Sequence, residues 1–217
     1  MRKENLKILL RRFGTLYSKE LDINLKNKKK EEIFKWFLAS ILFGARISET
    51  IAKNTYKAFE KYNLLTPQKI LEAGWNFLVN PIMREGGYVR YDEKTSNKCL
   101  KISKALIEKY NNDLNKIEKI SKDSKDLEEK IQEFYGVGPT TTRIFLRELR
   151  GIWKKADPDI GKFTKLAARK LKLPKTLSGL KKYWQKHKIK NYDFLNFEVA
   201  LFRIGKNFYH KKKKPNL

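Results

Sequence analysis

The segment "EFYGVGPTTTRIFLREL", Glu133–Leu149, sets two glycines, a proline and three threonines at the mouth of an otherwise helical pattern. Leu127, Ile131 and Phe134 or Tyr135 mark a helix leading in, and Ile144, Phe145 and Leu149 mark one leading out. Between them Gly136 and Gly138 suit the positive φ values of a tight turn, and Pro139, which has no backbone N–H, suits the first position of the second helix. The backbone amides of Gly138, Thr140 and Thr141 then sit at the positive end of a helix dipole. Such a place holds a phosphate oxygen without a side-chain charge. An ordinary corner between two helices uses similar residues.

Away from this stretch the dominant period is again helical. In "EEIFKWFLASILFGA" Ile33, Phe37, Ile41 and Ala45 share a face, with Glu31 and Glu32 at the N-terminal end, which predicts a buried helix. A second helix is expected over Ile51–Tyr62, and a third begins where Thr66 serves as N-cap with Pro67 at the first helical position. The stretch "MREGGYVRYDEKTSNK" interrupts the period at Gly86 and Gly87 and reads as an exposed loop before the helical pattern resumes over Leu100–Tyr110. Apolar positions recur helically over Lys165–Leu171 and Phe194–Phe208, and "HKKKKPNL" reads as a solvated basic tail. No pair of runs reads as a strand hairpin, so the class is all-α. There is no internal repeat.

Composition narrows the partners. The chain has 217 residues, is 41% apolar, and sets 50 Lys plus Arg against 24 Asp plus Glu, a formal charge of +26. The apolar content suffices for a real core, and the charge favours a polyanion such as nucleic acid. A lysine-rich surface inherited from genome composition or a hot habitat gives the same count. One cysteine, Cys99, rules out an internal disulfide framework, a four-cysteine iron–sulfur cluster and a cysteine-rich zinc site; only His187 and His210 remain as histidine ligands. No run approaches the roughly 18 to 20 apolar residues of a membrane span. The N-terminus, "MRKENLKILLRRFGTLY", lacks a small-residue cleavage site, so an intracellular protein is expected.

The Tyr135-Gly136-Val137-Gly138 turn resembles the helix-hairpin-helix motif of DNA-binding proteins, and its continuation sharpens the resemblance. "RGIWKKADPDIGKF" places Asp157 seventeen residues after Thr140. Hairpin, helix, then aspartate is the order of the HhH-GPD superfamily of DNA glycosylases, the endonuclease III-like base-excision enzymes. The similarity extends back to "FLASILFGARISETIAKNTYKAFEKY", covering roughly Phe34–Leu171. It implies a two-lobed helical fold with residues 1–30 as an N-terminal helix and basic linker packing on the second lobe. Residues 31–150 form a central lobe ending in the hairpin, 151–209 a C-terminal lobe and 210–217 the basic tail. Two departures matter. Bifunctional members carry a lysine where this chain has Thr140, and a threonine cannot form a Schiff base. Members with a C-terminal iron–sulfur loop need four cysteines, so no cofactor and no metal are expected here.

The resemblance also assigns roles. Asp157 is the catalytic carboxylate, stabilising oxocarbenium character on the sugar as the N-glycosidic bond breaks. Asp159 is its close rival, since the spacing fits either, and capping a helix from an Asp-Pro turn is the structural alternative for Asp157. Gly136, Gly138, Thr140 and Thr141 form the phosphate-binding hairpin. Arg46, in "FGARIS", is the candidate wedge that fills the gap left by an extruded nucleotide. Phe43, Trp75, Tyr88, Tyr91 and Trp153 are candidates to stack on the extruded base, Tyr88 and Tyr91 foremost because the Gly86-Gly87 loop gives them no periodic core position. Three functions stay open: a monofunctional glycosylase acting as a monomer on duplex DNA with a damaged or mismatched base, a silent DNA-binding module, and a glycosylase/lyase using Lys154, Lys155 or Lys162.

Overall fold

The computed structural model describes residues 2–213, with side chains through Tyr209. Among them there are twelve α-helices and no strands, so the all-α expectation holds. The chain divides into two compact units, Leu21–Pro158 and a second made of Met1–Glu20 with Asp159–Leu217. The first twenty residues are thus grouped with the C-terminal part, and the divisions fall after residues 20 and 158 rather than after 30 and 150. The ends of the chain complete a core together.

That smaller unit holds α1 (Lys3–Phe13), α2 (Tyr17–Glu20), α10 (Lys162–Lys170), α11 (Leu177–His187) and α12 (Phe194–Lys213). Leu6 and Leu10 of α1 pack with Ala167 of α10, Leu180 and Trp184 of α11, and Phe197 and Leu201 of α12. Arg203 of α12 reaches back to α2, where its Nη1 and Nη2 each donate to the Glu20 carboxylate at 2.8 Å over the face of Tyr17. Bidentate geometry with one partner mostly buried makes this pair a fixed strut rather than a surface ion pair. Helix α11 is absent from the sequence expectations although Leu177, Leu180 and Trp184 recur at helical spacing, and its start is well marked: Thr176 caps it by accepting from the Gly179 amide at 3.1 Å. The basic tail 210–217 lies outside the described side chains, and the backbone of α12 continues through Lys213.

The larger unit is built around α3 (Lys30–Phe43), whose residues from Ile33 to Leu42 are almost all buried. A helix apolar on every side must be enclosed by others. Here α4 (Glu49–Lys61) and α9 (Pro139–Leu149) pack directly on it. The indole N–H of Trp36 donates to the Phe145 carbonyl of α9 at 2.9 Å, and the ring of Phe37 lies 4.8 Å from Phe145 and 5.4 Å from Phe134. The remaining elements are α5 (Pro67–Phe77), a π-helical turn over Leu78–Met83, α6 (Asp92–Tyr110), α7 (Asn115–Ile120) and α8 (Ser124–Gln132). Thr66 caps α5 through the Lys69 amide with Pro67 in the first turn, as the sequence predicts.

The expected loop at residues 83–98 is mostly helix. Helix α6 begins at Asp92, eight residues before the predicted start, which leaves only a short turn after Gly86. Acidic Asp92 and Glu93 in its first turn favour that earlier start by complementing the helix dipole.

Candidate active site and nucleic-acid interface

Helices α8 and α9 are joined by the turn Glu133–Gly138, the predicted helix-hairpin-helix geometry. Gly136 has φ +71°, a conformation that only glycine takes without penalty. Gly138 differs from expectation: its φ is −109° and ψ −178°, extended backbone open to any residue, and a Cβ built there meets nothing within 4 Å. Its lack of a side chain therefore serves free space in front of the turn rather than backbone freedom. Gly138 is the N-cap of α9, with no side chain capping the helix. Among the described residues no group accepts from the amides of Gly138, Thr140 or Thr141, whereas the Thr142 amide and hydroxyl both donate to the Gly138 carbonyl. Three donors without a protein acceptor thus lie at the positive end of the helix dipole, with open space in front of Gly138. The Thr140 side chain is exposed; that of Thr141 is buried.

Thr141 is buried because the loop after α3 closes over it. A Cβ at Gly44 would come within 2.1 Å of the Thr141 hydroxyl, so only glycine lets the two segments approach this closely. The structure thereby sets the loop carrying exposed Arg46 against the first turn of α9. Phe43, half-buried at the end of α3, lies 6.5 Å from Trp36.

After α9 the chain makes a tight bend in which the Ile152 and Trp153 amides both donate to the Leu149 carbonyl at 2.9 Å. Asp157 follows, half-exposed, and its carboxylate is paired with the guanidinium of Arg150. The same guanidinium donates to the Pro158 carbonyl at 2.8 Å, so one largely buried arginine clamps both the carboxylate and the backbone beside it. Asp157 does not cap the next helix; Gly161 occupies that position. Asp159 instead meets Lys165 at 3.1 Å, with both side chains more than half exposed. Arg150 escaped the sequence reading, although a basic residue at the very end of the hairpin's second helix was the available signal.

The aromatic candidates separate clearly. Trp153 is 3% exposed, packs edge-on against Phe145 at 5.5 Å, and its indole donates to Asn115 Oδ1 at 2.9 Å. Leaving that place would forfeit roughly 2–3 kcal/mol of burial and about 1 kcal/mol of hydrogen bond, against about 1–3 kcal/mol from stacking on a base. It is a core residue. Tyr88 is likewise core, 1% exposed, accepting from the Thr95 hydroxyl at 3.3 Å, and burial pushes its phenol up to about 12. Its expected lack of a core position is corrected: a turn residue needs no helical period to be buried when α6 folds back beside it. Tyr91 is half-buried beneath Arg90, and Trp75 is 37% exposed. An open groove of about 960 Å³ is lined by Lys28, Asn115, Gly151, Trp153 and Lys154 but not by Asp157, Phe43 or Arg46.

Of the three candidate lysines, Lys155 is engaged, donating to the Glu118 and Lys119 carbonyls at 2.7 and 3.2 Å. Lys162 lies over the rings of Phe163 and Tyr209, and Lys154 is exposed. Among the described residues no three His, Cys, Asp or Glu side chains gather to hold a metal, and no helix is long and apolar enough to cross a membrane.

The fold is similar to that of a solved DNA glycosylase. Among solved structures the chain is similar to the H. pylori 3-methyladenine DNA glycosylase MagIII bound to 1,N6-ethenoadenine, with a TM-score of 0.60 over 98% of each chain at 14% sequence identity. No family model and no curated protein matches the sequence.

Proposed function

We propose that this chain is a monofunctional DNA glycosylase that extrudes a damaged base from duplex DNA and hydrolyses its N-glycosidic bond. The observation that carries the reading is Asp157: a half-exposed carboxylate, held by Arg150, at the end of the loop leaving a helix-hairpin-helix. An arginine partner favours the ionised carboxylate, and an anion beside the sugar is what an oxocarbenium-like transition state requires. Asp157 also orients the attacking water, which takes the place of a protein nucleophile.

The other parts support the same reading. The free amides of Gly138, Thr140 and Thr141 grip a backbone phosphate, and the adjoining loop offers Arg46 to the space left by the extruded nucleotide. Phe43 and Tyr91, neither fully buried, are the aromatic side chains that we assign to the base. With Thr140 at the lysine position of bifunctional members and Lys155 bonded to backbone carbonyls, the chemistry is hydrolysis without a lyase step and without a cofactor. The similar H. pylori enzyme acts on 3-methyladenine by name and was solved with an ethenoadenine, so alkylated and etheno purines are the substrates we favour. The protein works as a monomer inside the cell, where duplex DNA is.

A panel of duplexes tests this, each carrying 3-methyladenine, ethenoadenine, hypoxanthine, uracil, thymine opposite guanine, or 8-oxoguanine. We expect release of an alkylated or etheno purine, strand breaks only after alkali or heat, and no covalent trapping by borohydride. Tight binding with no base released from any duplex would identify a silent binding module. Unaided nicking with borohydride trapping would assign a lyase.

A further inference from the structure

Helix α6 brings a group of lysines to the hairpin that the glycosylase reading does not use. Lys94, Lys98 and Lys101 follow one another at spacings of four and three residues and so share one face of the helix. That face meets the hairpin turn. The aliphatic end of Lys98 lies against Gly136, where a Cβ would fall 2.6 Å from Cε and 3.5 Å from Nζ. Lys101 Nζ sits 3.9 Å above the ring of Tyr135, the half-exposed residue just before that glycine. Val137, by contrast, points inward and is 5% exposed.

Lys98 is half-buried, and among the described residues it has no carboxylate within ion-pair distance and no hydrogen-bond acceptor. Burial lowers its pKa below the usual lysine range, with Lys94 adding to the effect and Cys99 opposing it. The hairpin turn and Lys101 lie on the same side, so a partly desolvated cation sits beside a second lysine. A structure bears that arrangement when an anion arrives to relieve it.

We propose that Lys98 and Lys101 form a second phosphate clamp with the α8–α9 turn, holding a duplex-DNA backbone phosphate that neighbours the one bound by the amides of α9. The proposal rests on the DNA-binding part of the function proposed above. Gly136 then has two uses, since its positive φ makes the turn and its missing side chain seats the Lys98 stem, which brings the ammonium up beside the hairpin mouth. Tyr135 holds Lys101 in position through its ring face.

The test is the salt dependence of binding to an undamaged duplex, measured by fluorescence anisotropy for the 217-residue chain and for Lys98→Met, Lys101→Met, the double variant, Lys98→Arg and Lys57→Met. Methionine keeps the stem over Gly136 and removes the charge. Each counted phosphate contact contributes about 0.9 to the log–log slope, so each methionine variant should flatten it by about one unit and the double variant by about two. Lys98→Arg should retain the slope. Lys57, on α4 and already paired with Glu60 at 2.9 Å, should leave it unchanged. A folded double variant with the wild-type slope overturns the clamp while leaving the hairpin and the glycosylase reading intact. A flat response in the wild-type protein overturns the DNA partner itself. If Lys98→Met fails to fold, Lys101→Met at its exposed position decides the matter alone.

Discussion

At Asp157 and Asp159, two residues apart, the surroundings divide the roles. Asp157 shares a largely buried guanidinium with a backbone carbonyl, so its position is set by the protein; Asp159 shares an exposed lysine with solvent. Exposed pairs contribute little and hold nothing in place. We therefore expect Asp157→Asn to lower single-turnover base release by at least about 10²–10³-fold, the scale on which single preorganised electrostatic contacts act. Asp159→Asn should leave the rate near wild type. Asparagine keeps the size of the side chain and removes the charge, so affinity for undamaged duplex should stay the same or rise, because a carboxylate near phosphates repels them. Quench-flow rates and anisotropy on the same two variants check both halves. Loss of turnover in Asp159→Asn alone would move the catalytic role by two residues, and wild-type rates in both would remove the Asp-assisted mechanism.

Elements show what the two hairpin glycines do separately. Gly136 carries the left-handed backbone and Gly138 the clearance. Gly136→Ala places a Cβ in a conformation costing about 1–2 kcal/mol and presses on the Lys98 stem, so the melting temperature should fall. Gly138→Val, whose backbone is extended and whose Cβ meets open space, should change stability by at most about 1 kcal/mol through the weaker N-cap, yet block the approach of a phosphate. Thermal melts set beside duplex affinities separate the two effects: the first variant should lose stability, the second binding. Unchanged affinity in folded Gly138→Val protein would make the turn a simple corner between helices.

For the molecule as a whole, a formal charge of +26 acts at a distance and independently of any one contact. Association with undamaged duplex should weaken steeply with salt, with a log–log slope of several units, and should occur without a lesion. Titrations between low and near-physiological salt measure it, and a slope near zero would assign the lysines to solvation alone.

Much of this was legible in the chain itself. The helix class, the buried α3, the Thr66 cap, the hairpin and the aspartate after it are written in local periodicity, in turn residues and in spacing, all of which act over a few residues. Tertiary structure decided the rest, because burial and partnership depend on segments far apart in sequence. Folding turned Tyr88 and Trp153 into core residues, set Gly44 against Thr141, and brought Lys98 beneath Gly136 from a helix thirty-eight positions away. The smaller unit, drawn from residues 1–20 and 159–217, has the same origin: neither segment encloses an apolar core alone, and no local pattern records which distant face will complete it.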